Sequence, residues 1–133
     1  MFEHVNWLAV IGAAVAAFVI GALWYGPLFG KRWMALTGKR PGEGMEGSWL
    51  PIAVSGLMSV VAATALAVLT TAFSADIVTA AFIGLLVWTA SGLVLKLNDM
   101  MFGGQPAGLF YLDSMQHLVT LVLMAVIVSV FRA

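Results

Sequence analysis

Apolar residues along this chain fall into four long blocks, about 5–25, 50–71, 77–95 and 109–131, separated by short polar interruptions. Each block is close to the roughly 20 residues that carry a helix across the hydrocarbon core of a bilayer. Lipid offers the backbone no hydrogen-bond partners, so segments this apolar must be helical where they cross. The pattern predicts an all-α, polytopic four-transmembrane-helix bundle forming one membrane domain over residues 1–133. The last block is the least clean. Its purely apolar part, 118–131, is too short to span alone, so the helix must begin near Leu109 and carry Asp113, Gln116 and His117 with it.

The interruptions add detail. Trp7 sits near one end of the first block and Trp24 and Tyr25 at the other, where amphipathic rings favour the headgroup level. Gly26-Pro27 then turns the chain. Leu28 to Leu36 mixes apolar residues with Lys31 and Arg32, which suits a short interfacial helix. In it Phe29 and Trp33 lie against membrane lipids while Lys31 and Arg32 stay wet. The following G-K-R-P-G-E-G-M-E-G is a turn-rich polar loop. Trp49 and Pro51 open the second span, and Asp76 is placed to cap the third.

Composition agrees with this reading. The chain is 62% hydrophobic and 9% charged, with a mean hydropathy of +1.05, whereas soluble domains carry about 25% charged residues. The formal charge of zero argues against a nucleic-acid partner. The absence of cysteine excludes disulfides and thiolate chemistry. The first block follows Phe2, Glu3, His4, Val5 and Asn6, with no basic residue, and outruns a signal-peptide core, so it is expected to be a retained span. Lys31, Arg32, Lys39 and Arg40 lie between spans 1 and 2, Lys96 borders the connection between spans 3 and 4, and Arg132 stands alone on the other side. By the positive-inside rule, the first and third connections face the cytoplasm of a bacterial inner membrane and both termini face out.

Small residues recur four apart on three spans: Ala9, Ala13, Ala17 and Gly21; Ser55, Ser59, Ala63 and Ala67; Ala80, Gly84 and Gly92, with Trp88 interrupting the last. Such stripes let helix backbones approach closely, within a chain or between copies. Four short spans bury little interior, so a homo-oligomer is expected. Spans 1 and 3 are each followed by a Phe-Gly step, Phe29-Gly30 and Phe102-Gly103. A duplicated hairpin and chance in a Gly- and Ala-rich chain explain this equally.

The chemically suggestive residues belong to spans 3 and 4. Asp113 and His117 are four apart and share a helix face, with Gln116 adjacent. Lys96, Asn98, Asp99 and Gln105 lie just across the third connection. One reading is a buried polar network acting as a proton relay or solute pocket, since an ionisable group within a span is by default functional. The other is that span 4 begins among wet headgroups. Lys96 either pairs with Asp99 or Asp113 or snorkels to the surface. A metal site would need further ligands from Asn98, Asp99 or another copy, and neither a metal nor a cofactor is assigned. Ser114 beside Asp113 does not make a triad, which needs convergent geometry. Spans 1 and 2 hold no acidic residue in their cores, unlike a proton-driven four-span drug exporter.

Asn6-Trp7 and the later string G-A-L-W-Y-G-P-L-F-G-K-R-W-M, with Trp24, Tyr25, Pro27, Phe29, Gly30 and Trp33 as its key positions, resemble an uncharacterised family of small four-span bacterial integral membrane proteins. That resemblance implies the fold and brings no substrate, reaction or catalytic residue. Three functions stand side by side: transport or binding of a small solute or proton, a structural or accessory membrane role, and a membrane-embedded enzyme on a lipid-like substrate.

Overall fold

The structure, a computed structural model, describes residues 5–38 and 50–131, without the side chains of Pro51 and Ile52. Glu3, His4, Lys39, Arg40, Trp49 and Arg132, all used in the sequence reading, lie outside the described residues. The described chain is all-α. Helix α1 is Trp7–Leu23 and continues into a π-helical segment, Trp24–Leu28; α2 is Gly30–Thr37 and α3 is Leu50–Ala72. Helix α4, Ile77–Trp88, runs through a second π segment, Thr89–Leu93, into α5, Val94–Gly103; α6 is Ala107–Val130. Four apolar stretches are long enough to cross a membrane: Trp7–Leu28, Ala53–Ala72, Ile77–Gly103 and Ala107–Val130. The short helix expected after span 1 is α2.

Local chemistry sets the helix ends. Asn6 is extended, and its Oδ1 accepts from the backbone N–H of Leu8 at 3.1 Å and Ala9 at 3.4 Å. Its side-chain amide donates to the carbonyl of Phe131, tying the start of α1 to the end of α6. Asp76 caps α4 by accepting from the N–H of Thr79 at 2.7 Å, and this bond holds its exposed carboxyl below the usual aspartate range. Pro106 precedes α6, its ring pre-setting φ. Helices α2 and α5 stop at Gly38 and Gly104, whose φ of +72° and +69° is left-handed and favours glycine. The two odd-numbered spans thus share a build: an Asx cap, an α-helix, a π segment, a second helical piece and a left-handed glycine.

Helix α6 is the centre of the bundle and packs against α1, α3 and α4. Of its most apolar window 39% is buried, against 22–28% in the other three spans. The small-residue stripes meet within this one chain: Ala13 and Ala17, Ala63 and Ala67, and Ala80 and Gly84 are all buried. Contact is tightest at Gly84, where an added Cβ would stand 2.8 Å from Val122 Cα and 2.9 Å from the Leu121 carbonyl oxygen. Thr64 and Thr89 bond carbonyls of their own helices, those of Val60 and Leu85.

The bundle has two unlike halves. Toward the C-terminal end of α6, Val10, Leu66, Met124 and Val128 form a closely packed apolar core. The buried Ser129 hydroxyl there donates to the carbonyl of Ala75 at 2.7 Å. Toward the N-terminal end of α6 the packing opens and polar side chains enter. Span 3 stays helical past residue 95 to Gly103, so Lys96, Asn98 and Asp99 are helical and only residues 104–106 connect it to α6.

Candidate functional site

The end of span 1 builds one wall of the polar half. Pro27 lacks an N–H and Gly26 departs from helical geometry (φ −107°, ψ −106°), so the helix widens to π pairing and breaks. Gly30 allows a tight return: a Cβ there would stand 2.7 Å from the carbonyl oxygen of Tyr25. Helix α2 therefore folds back over the beginning of α6, with Leu36 resting on Gly108. Trp24 stacks near Phe29 with ring centres 4.7 Å apart, and its indole N–H donates to the carbonyl of Leu112 at 3.1 Å.

Tyr25 reaches the chemistry directly. Its hydroxyl donates to Asp113 Oδ1 at 2.6 Å, and its ring meets Trp33 edge-on at 6.1 Å. The other carboxylate oxygen, Oδ2, lies 3.7 Å from Lys96 Nζ. Asp113 is 16% exposed and Lys96 35%. On the opposite wall the second π segment brings Gly92 against His117 so closely that a Cβ at Gly92 would overlap the imidazole. The indole of Trp88 donates to the carbonyl of Ser114 at 2.9 Å. Gln116 donates to the Thr120 hydroxyl at 3.0 Å. Among the described residues neither ring nitrogen of His117 has a hydrogen-bond partner.

Helical rise places Asp113 ~9 Å and His117 ~15 Å along α6 from Ala107. His117 is thus near the midpoint of this 24-residue helix. Two cavities flank it. One of about 470 Å³ is bordered by Trp33, Lys96 and Asp113. The other, about 540 Å³, lies between α1, α3 and α6 and includes Ser55, Ser59 and Thr120. Tyr25, Gln116 and His117 line both. A larger hollow of about 660 Å³ on the outside of α4 and α6 is lined by Val78, Phe82 and similar side chains. No polar side chain converges there, and ligand sites combine apolar walls with a few placed polar groups.

Of the polar residues singled out from the sequence, Lys96, Asp113, Gln116 and His117 come together. Asn98, Asp99 and Gln105 are exposed and border neither cavity. The carbonyl of Asp99 instead accepts from Gly104 and Gln105 at the end of α5. Lys31 and Arg32 are exposed. Ser55 is exposed at the mouth of the second cavity, and the Ser59 hydroxyl donates to the Ser55 carbonyl. Ser114 Oγ is buried with no partner among the described residues, so no base activates it. No group of three or more described His, Asp or Glu side chains could hold a metal ion.

Sequence reasoning missed two site residues, Tyr25 and Trp33, which were read as interface anchors. The available signal was depth. Tyr25 is a phenol in the last turn of span 1, at the same end of the bundle as Lys96 and Asp113.

These features define a small four-span membrane protein, centred on α6, with a polar cluster in one half of the bundle. The family described as "Protein of unknown function (DUF1761)" matches residues 8–129, and the chain belongs to that family. No curated protein and no solved structure matches the chain.

Proposed function

We propose that Tyr25, Lys96, Asp113, Gln116 and His117 form a binding site through which the protein takes up or moves a small solute or a proton. The observation that carries this reading is Asp113, an ionisable group inside a span, held by Tyr25 and Lys96 at the wall of a cavity. Placing a carboxylate there is costly and persists where it is used. Asp113 supplies fixed charge. His117 faces both cavities with free ring nitrogens and is the group suited to take and release a proton. The packed half of the bundle closes the path beyond His117 in this conformation, so the site is entered from one end, and flux requires the packed half to open in turn. The basic residues around the first and third connections make that end cytoplasmic in a bacterial inner membrane, with both termini outside. A homo-oligomer fits the modest interior of four short spans.

The test is proton flux into proteoliposomes under an imposed membrane potential, read with a trapped pH dye. The parent protein is expected to exceed protein-free liposomes, and Asp113→Asn and His117→Ala to fall to the protein-free level. Equal flux in the parent and both variants overturns the reading. The indole bonds from Trp24 and Trp88 that clamp α6 from two sides favour a second reading, an accessory protein whose polar residues only hold the bundle together. In that case the variants lose stability while flux stays at the protein-free level throughout.

A further inference from the structure

Adjacent residues of α2 line two different hollows. Trp33 borders the polar cavity, while Arg32 borders a groove of about 300 Å³ that shares no lining residue with it. The groove walls are Trp24 and Phe29 from the end of span 1, and Gly108, Tyr111 and Met115 from α6. Tyr111 is 64% exposed and Met115 45%, and both belong to a membrane-spanning helix, so the groove opens to the acyl chains.

Arg32 stands at one end of this groove. Its Nη2 lies 3.8 Å from where a Cβ would stand on Gly108, so the guanidinium rests over the first turn of α6. From Gly108 to Met115 the helix rises ~10 Å. The groove therefore runs from a cation level with the helix end to apolar walls deeper in the bilayer. A phospholipid has the same order, phosphate above and chain below.

The charge at the head end is one-sided. A guanidinium offers five donors, accepts nothing and keeps its proton. Among the described residues Arg32 has neither a hydrogen bond nor an ion pair. It is also the one charged side chain among the described residues of the groove. The indole N–H of Trp24 is already spent on Leu112, and the Tyr111 hydroxyl can donate as readily as accept. Helix α2 carries Lys31 and Arg32 and no acidic residue, so no carboxylate on it cancels them. A zwitterionic head would set its ammonium beside these two cations. A head whose phosphate is its only charge would not.

We propose that this groove binds an anionic phospholipid from the leaflet at the α2 end of the bundle. Its phosphodiester sits on Arg32, where the planar guanidinium can hold two oxygens at once. The upper part of one acyl chain lies along Trp24, Tyr111 and Met115. Lys31 attracts the same lipids without lining the groove. The site is separate from the polar cluster and does not depend on what that cluster binds.

The experiment is tryptophan quenching of the full chain in phosphatidylcholine nanodiscs that contain a minor fraction of brominated phosphatidylglycerol. Brominated phosphatidylcholine at the same fraction is the comparison, and both lipids carry bromine on the upper part of the chain. Phosphatidylglycerol is expected to quench more strongly. That excess should be lost in Trp24→Phe and kept in Trp7→Phe, whose ring lies at the opposite end of α1. Arg32 is exposed, so Arg32→Gln leaves the packed core intact. It should lower the preference for phosphatidylglycerol about fivefold, the worth of one cation at an anionic surface. Lys31→Gln should lower it less. An unchanged preference in Arg32→Gln, or equal quenching by the two lipids, overturns the proposal. Equal losses in Lys31→Gln and Arg32→Gln would assign the preference to diffuse surface charge and overturn the groove. Quenching of Trp24 by neither lipid, the result if a second copy covers the groove, also overturns it. Displacement of the brominated lipid by inorganic phosphate would make the ligand a free anion and overturn the lipid.

Discussion

Replacing Gly84 with leucine is expected to leave little correctly folded protein. An added Cβ at this position meets backbone only: Val122 Cα at 2.8 Å, the Leu121 carbonyl oxygen at 2.9 Å and the Val122 nitrogen at 3.1 Å. A side chain can rotate out of the way and a helix backbone cannot. Helices α4 and α6, the most extensively packed pair in the bundle, would have to separate along their length. Overpacking a core by extra methylenes typically costs 1–3 kcal/mol, and an obstacle made of backbone puts this substitution at about 3 kcal/mol or beyond. Within lipid no hydrophobic force compensates, because association depends on packing itself. Gly12 is the internal control, since nothing lies within 4 Å of its added Cβ. Gly12→Leu should stay within about 0.5 kcal/mol of the parent. Unfolding in detergent, followed by circular dichroism, reads both. Matching midpoints for the two variants would contradict the close α4–α6 contact.

Removing the Tyr25 hydroxyl and the Asp113 charge, singly and together, is expected to show strong coupling between them. Two interactions meet at Asp113, and their sizes differ. The Lys96 contact is long, and Lys96 is 35% exposed, so it resembles a surface ion pair. Such pairs are worth about 0–1 kcal/mol. The Tyr25 bond is 2.6 Å and joins a hydroxyl to a carboxylate. Charge-assisted hydrogen bonds reach about 1.5–3 kcal/mol in proteins, whereas interhelical bonds in membranes average nearer 0.6 kcal/mol. A coupling energy of about 1.5 kcal/mol is expected for Tyr25→Phe with Asp113→Asn, and less than half of that for Lys96→Gln with Asp113→Asn. Equal coupling of Asp113 to Tyr25 and Lys96 would show that Lys96, rather than the phenol, fixes the carboxylate. The two partners differ in geometry as well: Tyr25 holds Asp113 by a short hydrogen bond, while the Lys96 contact is longer than one.

The spans were legible because bilayer thickness leaves a direct mark on the sequence, a run of apolar residues near 20 long. The stripe containing Ala80 and Gly84 marked close packing, but spacing carries no information about whether the facing helix belongs to the same chain. The fold back of α2 onto α6 was not legible. It depends on the backbone at Gly26 and on the contact of Gly30 with Tyr25, which the sequence shows only as Gly and Pro near a span end. The π segments are a change of hydrogen-bond register and leave no periodic trace in uniformly apolar helices. At the site, the spacing of Asp113 and His117 pointed to a shared face. Polarity alone over-collected: Asn98, Asp99 and Gln105 are polar because the end of α5 is exposed. Tyr25 was hidden by its class, since a phenol near a span end is usually an interface anchor.

The central claim is that a polar cavity reaches Gln116 and His117 from one end of the bundle and stops at the packed half. The chain has no cysteine, so a single introduced thiol reports without background. Gln116→Cys and Val128→Cys would each be exposed to a small, membrane-impermeant thiol reagent, in spheroplasts and in inverted membrane vesicles. The thiol at position 116 should react in inverted vesicles and stay protected in spheroplasts. The thiol at position 128, where Val128 is 3% exposed in the packed half, should react in neither. Reaction of both thiols, or protection of position 116 in both preparations, would contradict a one-sided polar cavity at the level of His117.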